Sequence, residues 1–156
     1  MSQIIKMFES CRLRSYLDSG EVATIGWGHT KGVKLGQTCT QEQADKWLIE
    51  DLIDAENRVK RMFPNPMPKN EWDVLVSLAY NLASFEALAK HLLKDKELFK
   101  KKMLLYYRTK GSERGLKRRR IAERLLFEGR DWETVAKELD GKSLGEMMLK
   151  EKELFA

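Results

Sequence analysis

The chain has 156 residues, with 29 Lys and Arg against 24 Asp and Glu, for a formal net charge of +5. That length suits one ordinary domain with a real core, or two small lobes sharing an element; 42% hydrophobic residues and only three prolines exclude a disordered chain. The positive balance favours an anionic partner, whether nucleic acid, a lipid surface or an acidic polymer, without choosing among them.

Ile4, Ile5, Met7 and Phe8 fall on a short helix that stops near Glu9. The opening "MSQIIKMFES" is too short and too interrupted for a signal peptide or a membrane span, so the expectation is synthesis inside a cell without an export signal. From Leu13 to about Gly36 the pattern changes to short strands and turns. "LRSYL" and "EVATIGW" are strand-like, and "DSGE" between them is a hairpin turn. Thr40 to Gln43 forms a capping box opening a long helix on which Trp47, Leu48, Leu52, Ala55 and Val59 recur at helical spacing. "PNPMP" at 64–68 breaks that helix, and "NEWDVLVSLAYNL", apolar on most sides, predicts a buried central helix. Further helices are expected near 85–94, 96–107, 115–128, 132–139 and 144–154, with Ser84, Asp95, Asp131 and Ser143 as N-caps. The fold class is α+β in a single domain over 1–156. A small β lobe covers 12–39, a connecting helix 40–63, and a helical lobe 1–11 and 64–156, with an active-site cleft expected between the lobes.

Cys11 and Cys39 show no Cys-x-x-Cys or metal spacing and read as free thiols. His29 and His91 are isolated, so no zinc site can be assembled.

Chemistry concentrates in "ESCRLRSYLDSGEVATIGWGHT", residues 9–30. Glu9 at a helix end, Asp18 in a turn and Thr24 on the next strand can converge on one site. Two carboxylates across a cleft are what glycoside hydrolysis needs: one protonates the leaving oxygen, and the other activates water or meets the oxocarbenium-like centre. A neighbouring hydroxyl can hold the attacking water. By spacing alone, charges flanking a hairpin on the surface are the commoner explanation of such a pair.

The segment resembles the catalytic stretch of the phage-type lysozymes, the muramidase endolysins. Their pattern is Glu, eight residues, Asp or Cys, five residues, Thr, then Gly-x-Gly-His, and Glu9, Asp18, Thr24 and Gly26-Trp-Gly-His29 stand at those spacings without a gap. "GQTCTQEQADKWLIEDL", "WDVLVSLAYNL" and "RGLKRRRIAERLLFEG" extend the resemblance over most of residues 5–130. Two departures stand out: Ser10 replaces the usual Gly after the Glu, and no glycine turn follows Asn81. The resemblance implies that Glu9 is the general acid, Asp18 the base or electrostatic partner, and Thr24 the group that positions water. It implies as substrate the β-1,4 bond between N-acetylmuramic acid and N-acetylglucosamine in peptidoglycan glycan strands, and cleft contacts from His29, Thr30, Tyr80 and Asn81, with Arg118 near Glu9. It further implies a monomer that needs no metal or cofactor and has no stable membrane insertion, made in the host cytoplasm, that reaches the wall through a separate holin.

Read by themselves, several of these residues have plainer explanations. A lone His after a strand suits a buried ion pair with Asp51 on the long helix. Tyr80 fits a core or a sugar face equally. Asn81 in an apolar helix is better explained by a cleft, because a buried amide without partners costs about 1–3 kcal/mol. Trp27 suits packing, and the "KRRR" run at 117–120 suits the wet face of a helix. Competing functions are a basic nucleic-acid-binding protein using residues 99–120, a lytic transglycosylase on the same bond, and a non-catalytic wall-binding domain. No nucleic-acid-binding motif is present, and Glu9 and Thr24 are both retained. In the tail, Asp131 and the Ser143-x-x-Glu146 box open two helices. Lys142, Lys150 and Lys152 are offset there by Glu146, Glu151 and Glu153, which predicts docking on the helical lobe with Trp132 and Met147 or Met148 buried, rather than a membrane-active helix.

Overall fold

A computed structural model describes residues 2–156, the side chain of Ser2 excepted. The elements run α1 (Ser2–Phe8), β1 (Arg12–Leu17), β2 (Ala23–Gly26), α2 (Gln41–Met62), α3 (Lys69–Asn81), α4 (Phe85–Ala89), α5 (Lys96–Met103), α6 (Glu113–Phe127), α7 (Glu133–Leu139) and α8 (Leu144–Leu154). They form two compact units. One holds the described residues through Asn65 together with Val76–Leu82; the other holds Pro66–Leu75 and Ala83–Ala156. α3 thus gives its last turns to the first unit and its first turns to the second.

In the first unit, β1 and β2 pair antiparallel, with Tyr16 opposite Thr24 and Leu17 opposite Ala23. The expected turn closes them: the Asp18 amide donates to the Val22 carbonyl at 3.0 Å, and Glu21 donates to Asp18 at 2.9 Å with a φ of 60°. Residues 37–39 run along the other edge of β1 through Ser15 to Gln37 and Cys39 to Leu13 bonds, both 2.8 Å. Cys11 and Cys39 are free thiols. A Cβ on Gly26 would stand 3.2 Å from that of Ala44, so this glycine lets β2 lie directly on the start of α2. Thr40 caps α2 by accepting from the Gln43 amide at 3.1 Å. Ile4, Ile5, Ile25, Leu48, Ala55, Val59, Leu78 and Ala79 are buried in this unit.

The second unit departs from expectation in an instructive way. The "KRRR" run does not form a wet face: Lys117, Arg119 and Arg120 are buried at 2% exposure or less. Their charges are used inside. Arg120 pairs with the equally buried Glu123, and its Nε donates to the Tyr106 carbonyl at 3.0 Å. Lys117 donates to the Leu104 carbonyl at 3.0 Å, pairs with Glu151 on α8 and lies 4.5 Å from the Tyr107 ring centroid. This also explains why α5 stops at Met103 rather than continuing to 107. The carbonyls of Leu104 and Tyr106 serve side chains of α6, and the local backbone tightens to i→i−3 bonds from Leu105 and Tyr106. α4 likewise ends at Ala89, with i→i−3 bonds from His91 and Leu92.

α6 ends on Gly129 at φ 71°, where Gly129 donates to Leu126 and Arg130 to Leu125, the pairing of a Schellman motif. The tail packs as expected. Leu104, Ile121, Leu125, Leu139 and Met147 form one core cluster, with Val135, Leu154, Phe155 and Trp132 against it. Met147 is buried and Met148 exposed, while Trp132 is half-buried rather than buried. The Ser143–Glu146 capping box forms with both bonds present. Asp131 sits one residue before the cap position, which Trp132 occupies, yet its carboxylate still accepts from the Thr134 amide at 3.2 Å. Ser84 stands at the cap of α4 but makes no capping bond through its side chain. Among the described residues no helix is long and apolar enough to cross a membrane.

Candidate active site

Glu9 follows α1 directly, its amide closing the helix on the Ile5 carbonyl at 2.7 Å. The carboxylate rests against Gly28: a Cβ built there would stand 2.8 Å from Glu9 Oε2, and Gly28 holds a φ of 91°. The second glycine of the Gly-x-Gly-His run therefore seats the acid, a role legible only once strand and helix end are brought together.

Asp18 organises its own turn. Oδ1 accepts from the amides of Gly20 and Val22, both at 2.9 Å, and Oδ2 has no hydrogen-bond partner among the described residues. Thr24 is buried, and its hydroxyl donates to the Val22 carbonyl at 2.8 Å, which leaves the oxygen's lone pairs to accept.

His29 is buried, and its Nδ1 lies 2.8 Å from Asp51 Oδ2, the pairing expected from the sequence. Its ring stacks on Trp47, with centroids 4.5 Å apart and planes within 6°. Burial pushes the Asp51 carboxyl up, against the opposing pull of its hydrogen bond and charge interaction with His29. The Tyr80 hydroxyl donates to the Trp27 carbonyl at 2.7 Å, and the Trp27 indole N–H donates to Asp45 at 2.8 Å. Tyr80 thereby fastens the end of α3 to the Gly-Trp-Gly turn.

Beside these residues opens a cavity of about 230 Å³ with Gly28, Thr30, Lys31, Asp54, Arg58 and Tyr80 in its walls. Thr30 is exposed there, and Asn81 is half-exposed at the end of α3. Arg58 was not singled out in the sequence, and it accounts for the missing glycine turn: its guanidinium donates to the carbonyls of Ala79 at 2.8 Å and Leu82 at 3.1 Å. The last carbonyls of α3 are satisfied by a side chain, and the segment leaves the helix without a left-handed residue. Arg118, in the second unit, directs its Nε to the Ala136 carbonyl at 2.6 Å. Among the described residues no group of three His, Cys, Asp or Glu side chains could hold a metal ion.

The family model described as phage lysozyme matches residues 6–123. An endolysin of Acyrthosiphon pisum secondary endosymbiont phage 1 is 30% identical over 135 residues, covering 80% of this chain and 92% of its own length. The solved endolysin from Escherichia coli O157:H7 phage FAHEc1 superposes with a TM-score of 0.65 at 32% identity, over 80% of this chain and 87% of that one. The muramidase domain of SpmX from Asticaccaulis excentricus superposes with a TM-score of 0.69 at 27% identity, over 80% and 92%. With a hairpin and helices in the same α+β, lysozyme-like arrangement, the chain belongs to the phage lysozyme family of peptidoglycan-lytic endolysins.

Proposed function

We propose that this chain is a muramidase that hydrolyses the β-1,4 bond between N-acetylmuramic acid and N-acetylglucosamine. The observation that carries this reading is the way the backbone fixes each reactive group: Glu9 against Gly28, Asp18 inside its own turn with Oδ2 open, and Thr24 bonded to Val22. Glu9, protonated, gives its proton to the glycosidic oxygen as the bond to the anomeric carbon breaks. Asp18 faces the positive charge that develops and takes a proton from water as the water oxygen bonds to that carbon, with Thr24 accepting from the same water. Tyr80, Asn81 and Thr30 supply sugar contacts. His29, paired with Asp51 and stacked on Trp47, holds the turn that carries Gly28 and acts as support rather than as a contact. The protein serves host-cell lysis, released to the wall by a separate holin.

Mass analysis of the muropeptides released from purified walls tests this directly. Hydrolysis leaves a reducing sugar that carries the elements of water. If the 6-hydroxyl of the same sugar attacks instead, the product is an anhydro sugar, and finding that product would overturn the proposal in favour of a lytic transglycosylase.

A further inference from the structure

Tyr16 was absorbed neither by the motif nor by the family pattern quoted above. It pairs with Thr24 across the hairpin, so both side chains stand on one face of the two-stranded sheet. Asp18 lies two residues further along the chain, on the side to which alternation returns. The Arg12 guanidinium stacks on the phenol ring, 4.2 Å from its centroid, and limits its rotation. Glu9 and Asp18 both act electrostatically on the phenol. Burial first, then the Glu9 carboxylate, raise its pKa, with Asp18 adding to them and Arg12 opposing. Among the described residues the phenol oxygen has no hydrogen-bond partner. It is a neutral O–H donor, half-buried, with the Glu9 and Asp18 carboxyl groups and the Arg12 guanidinium as its charged neighbours.

We propose that Tyr16 is a substrate-positioning residue of this site, donating its phenol O–H to the N-acetyl carbonyl of the sugar held against the hairpin. The proposal rests on the muramidase reading. The chemistry selects the acceptor. Sugar hydroxyls can donate to the neighbouring carboxylates and do not need Tyr16, whereas an amide carbonyl only accepts, and Tyr16 is an uncharged donor beside those carboxylates, with the Arg12 guanidinium engaged on its ring face. Because its pKa is raised, the phenol stays protonated throughout the neutral range and the donor is always present.

The test is a cycle of two enzymes and two substrates: wild type and Tyr16→Phe, on soluble peptidoglycan strands that are fully N-acetylated or chemically de-N-acetylated. Phe keeps the ring and its Arg12 stack, so melting temperatures should coincide. On acetylated strands KM should rise about 3- to 10-fold, the range of one neutral hydrogen bond, with kcat changed far less. On de-N-acetylated strands the two enzymes should have the same KM. An equal loss on both substrates, or no loss on either, overturns the proposal. Glu9→Gln serves as the separate control: if that variant still cleaves, the muramidase reading fails and takes this proposal with it, whereas an inactive Glu9→Gln leaves Tyr16 to be judged by its own cycle.

Discussion

A methyl group on Gly28 would press on Glu9 Oε2 at 2.8 Å, in a backbone conformation that L side chains rarely adopt. Gly28→Ala should therefore displace the acid as well as strain the turn. We expect wall-lytic activity to fall at least tenfold, with a stability loss of about 1–2 kcal/mol for the left-handed residue. Turbidity assays and thermal melts on the same preparation separate the two effects. Glu9→Gln keeps the shape without the proton, so activity should fall about 10²–10⁴-fold with melting unchanged; near-normal lysis would remove Glu9 from the mechanism. Asp51 offers a pH test. Burial raises its folded pKa, so the native state holds this proton more tightly than the unfolded chain, where the value is about 3.9. The sign follows: its ionised form costs stability, and that cost grows as pH rises from about 4 through the folded value. Asp51→Asn keeps an acceptor for the His29 ring N–H and carries no charge. Wild type should thus lose ground to the variant between pH 4 and pH 8 in paired melts, and the opposite trend would contradict this account.

At the scale of elements, α6 decides the second unit. It runs charged through a core because each buried cation meets a carbonyl or a carboxylate. Glu128, at its end, gathers Lys100 of α5 at 2.8 Å, Arg124 at 3.6 Å and Arg130 at 3.1 Å. Burial pushes this carboxyl up, but the bonds from Lys100 and Arg130 and the charge of Arg124 outweigh it, so its pKa is lowered. A depressed folded pKa contributes stability above the unfolded value, about 4.3, and loses it as pH falls through the folded value. Glu128→Gln should cost about 2 kcal/mol at pH 7, and the gap should narrow as pH is lowered below about 4.3, read by denaturant melts across that range. Arg124 and Arg130 also lie over the Phe155 ring, at 4.0 and 5.5 Å, and tie the end of α8 to the same corner. The adjacent methionines of α8 separate packing from patterning. Met147→Ala should destabilise by about 2–4 kcal/mol, while Met148→Ala, at an exposed position, should change stability by less than about 0.5 kcal/mol.

For the whole molecule, a net charge of +5 should draw the protein to the acidic polymers of a wall. Raising salt from about 0.1 M to about 1 M shortens the screening length from about 10 Å to about 3 Å. Lysis of walls should slow several-fold over that range, while cleavage of short soluble strands changes little. Equal slowing of both would place the salt effect in the site rather than in capture of the wall.

The sequence by itself determined the hairpin, the capped long helix, the central helix and the tail box, because each is written in neighbours a few residues apart: turn residues, helical spacing, a Ser with a Glu three positions on. It also determined the family through Glu9, Asp18, Thr24 and the Gly-x-Gly-His run, whose spacing is local. The pairing of His29 with Asp51 was legible because a lone His after a strand and an acid on the facing helix have few other uses. What the tertiary structure alone decided are the roles that depend on residues far apart in the chain. Gly28 seats Glu9 because two segments approach too closely for a side chain. Arg58 replaces a glycine turn twenty-odd residues away by satisfying its carbonyls. Lys117 and Arg120 point inward because the loop after α5 leaves the carbonyls of Leu104 and Tyr106 for buried cations to take, while Arg119 pairs with the buried Glu123. A run of basic residues carries no mark of which side will be wet; beyond Glu123 on the same helix, the partners of Lys117 and Arg120 lie elsewhere in the chain and meet them only when the unit folds.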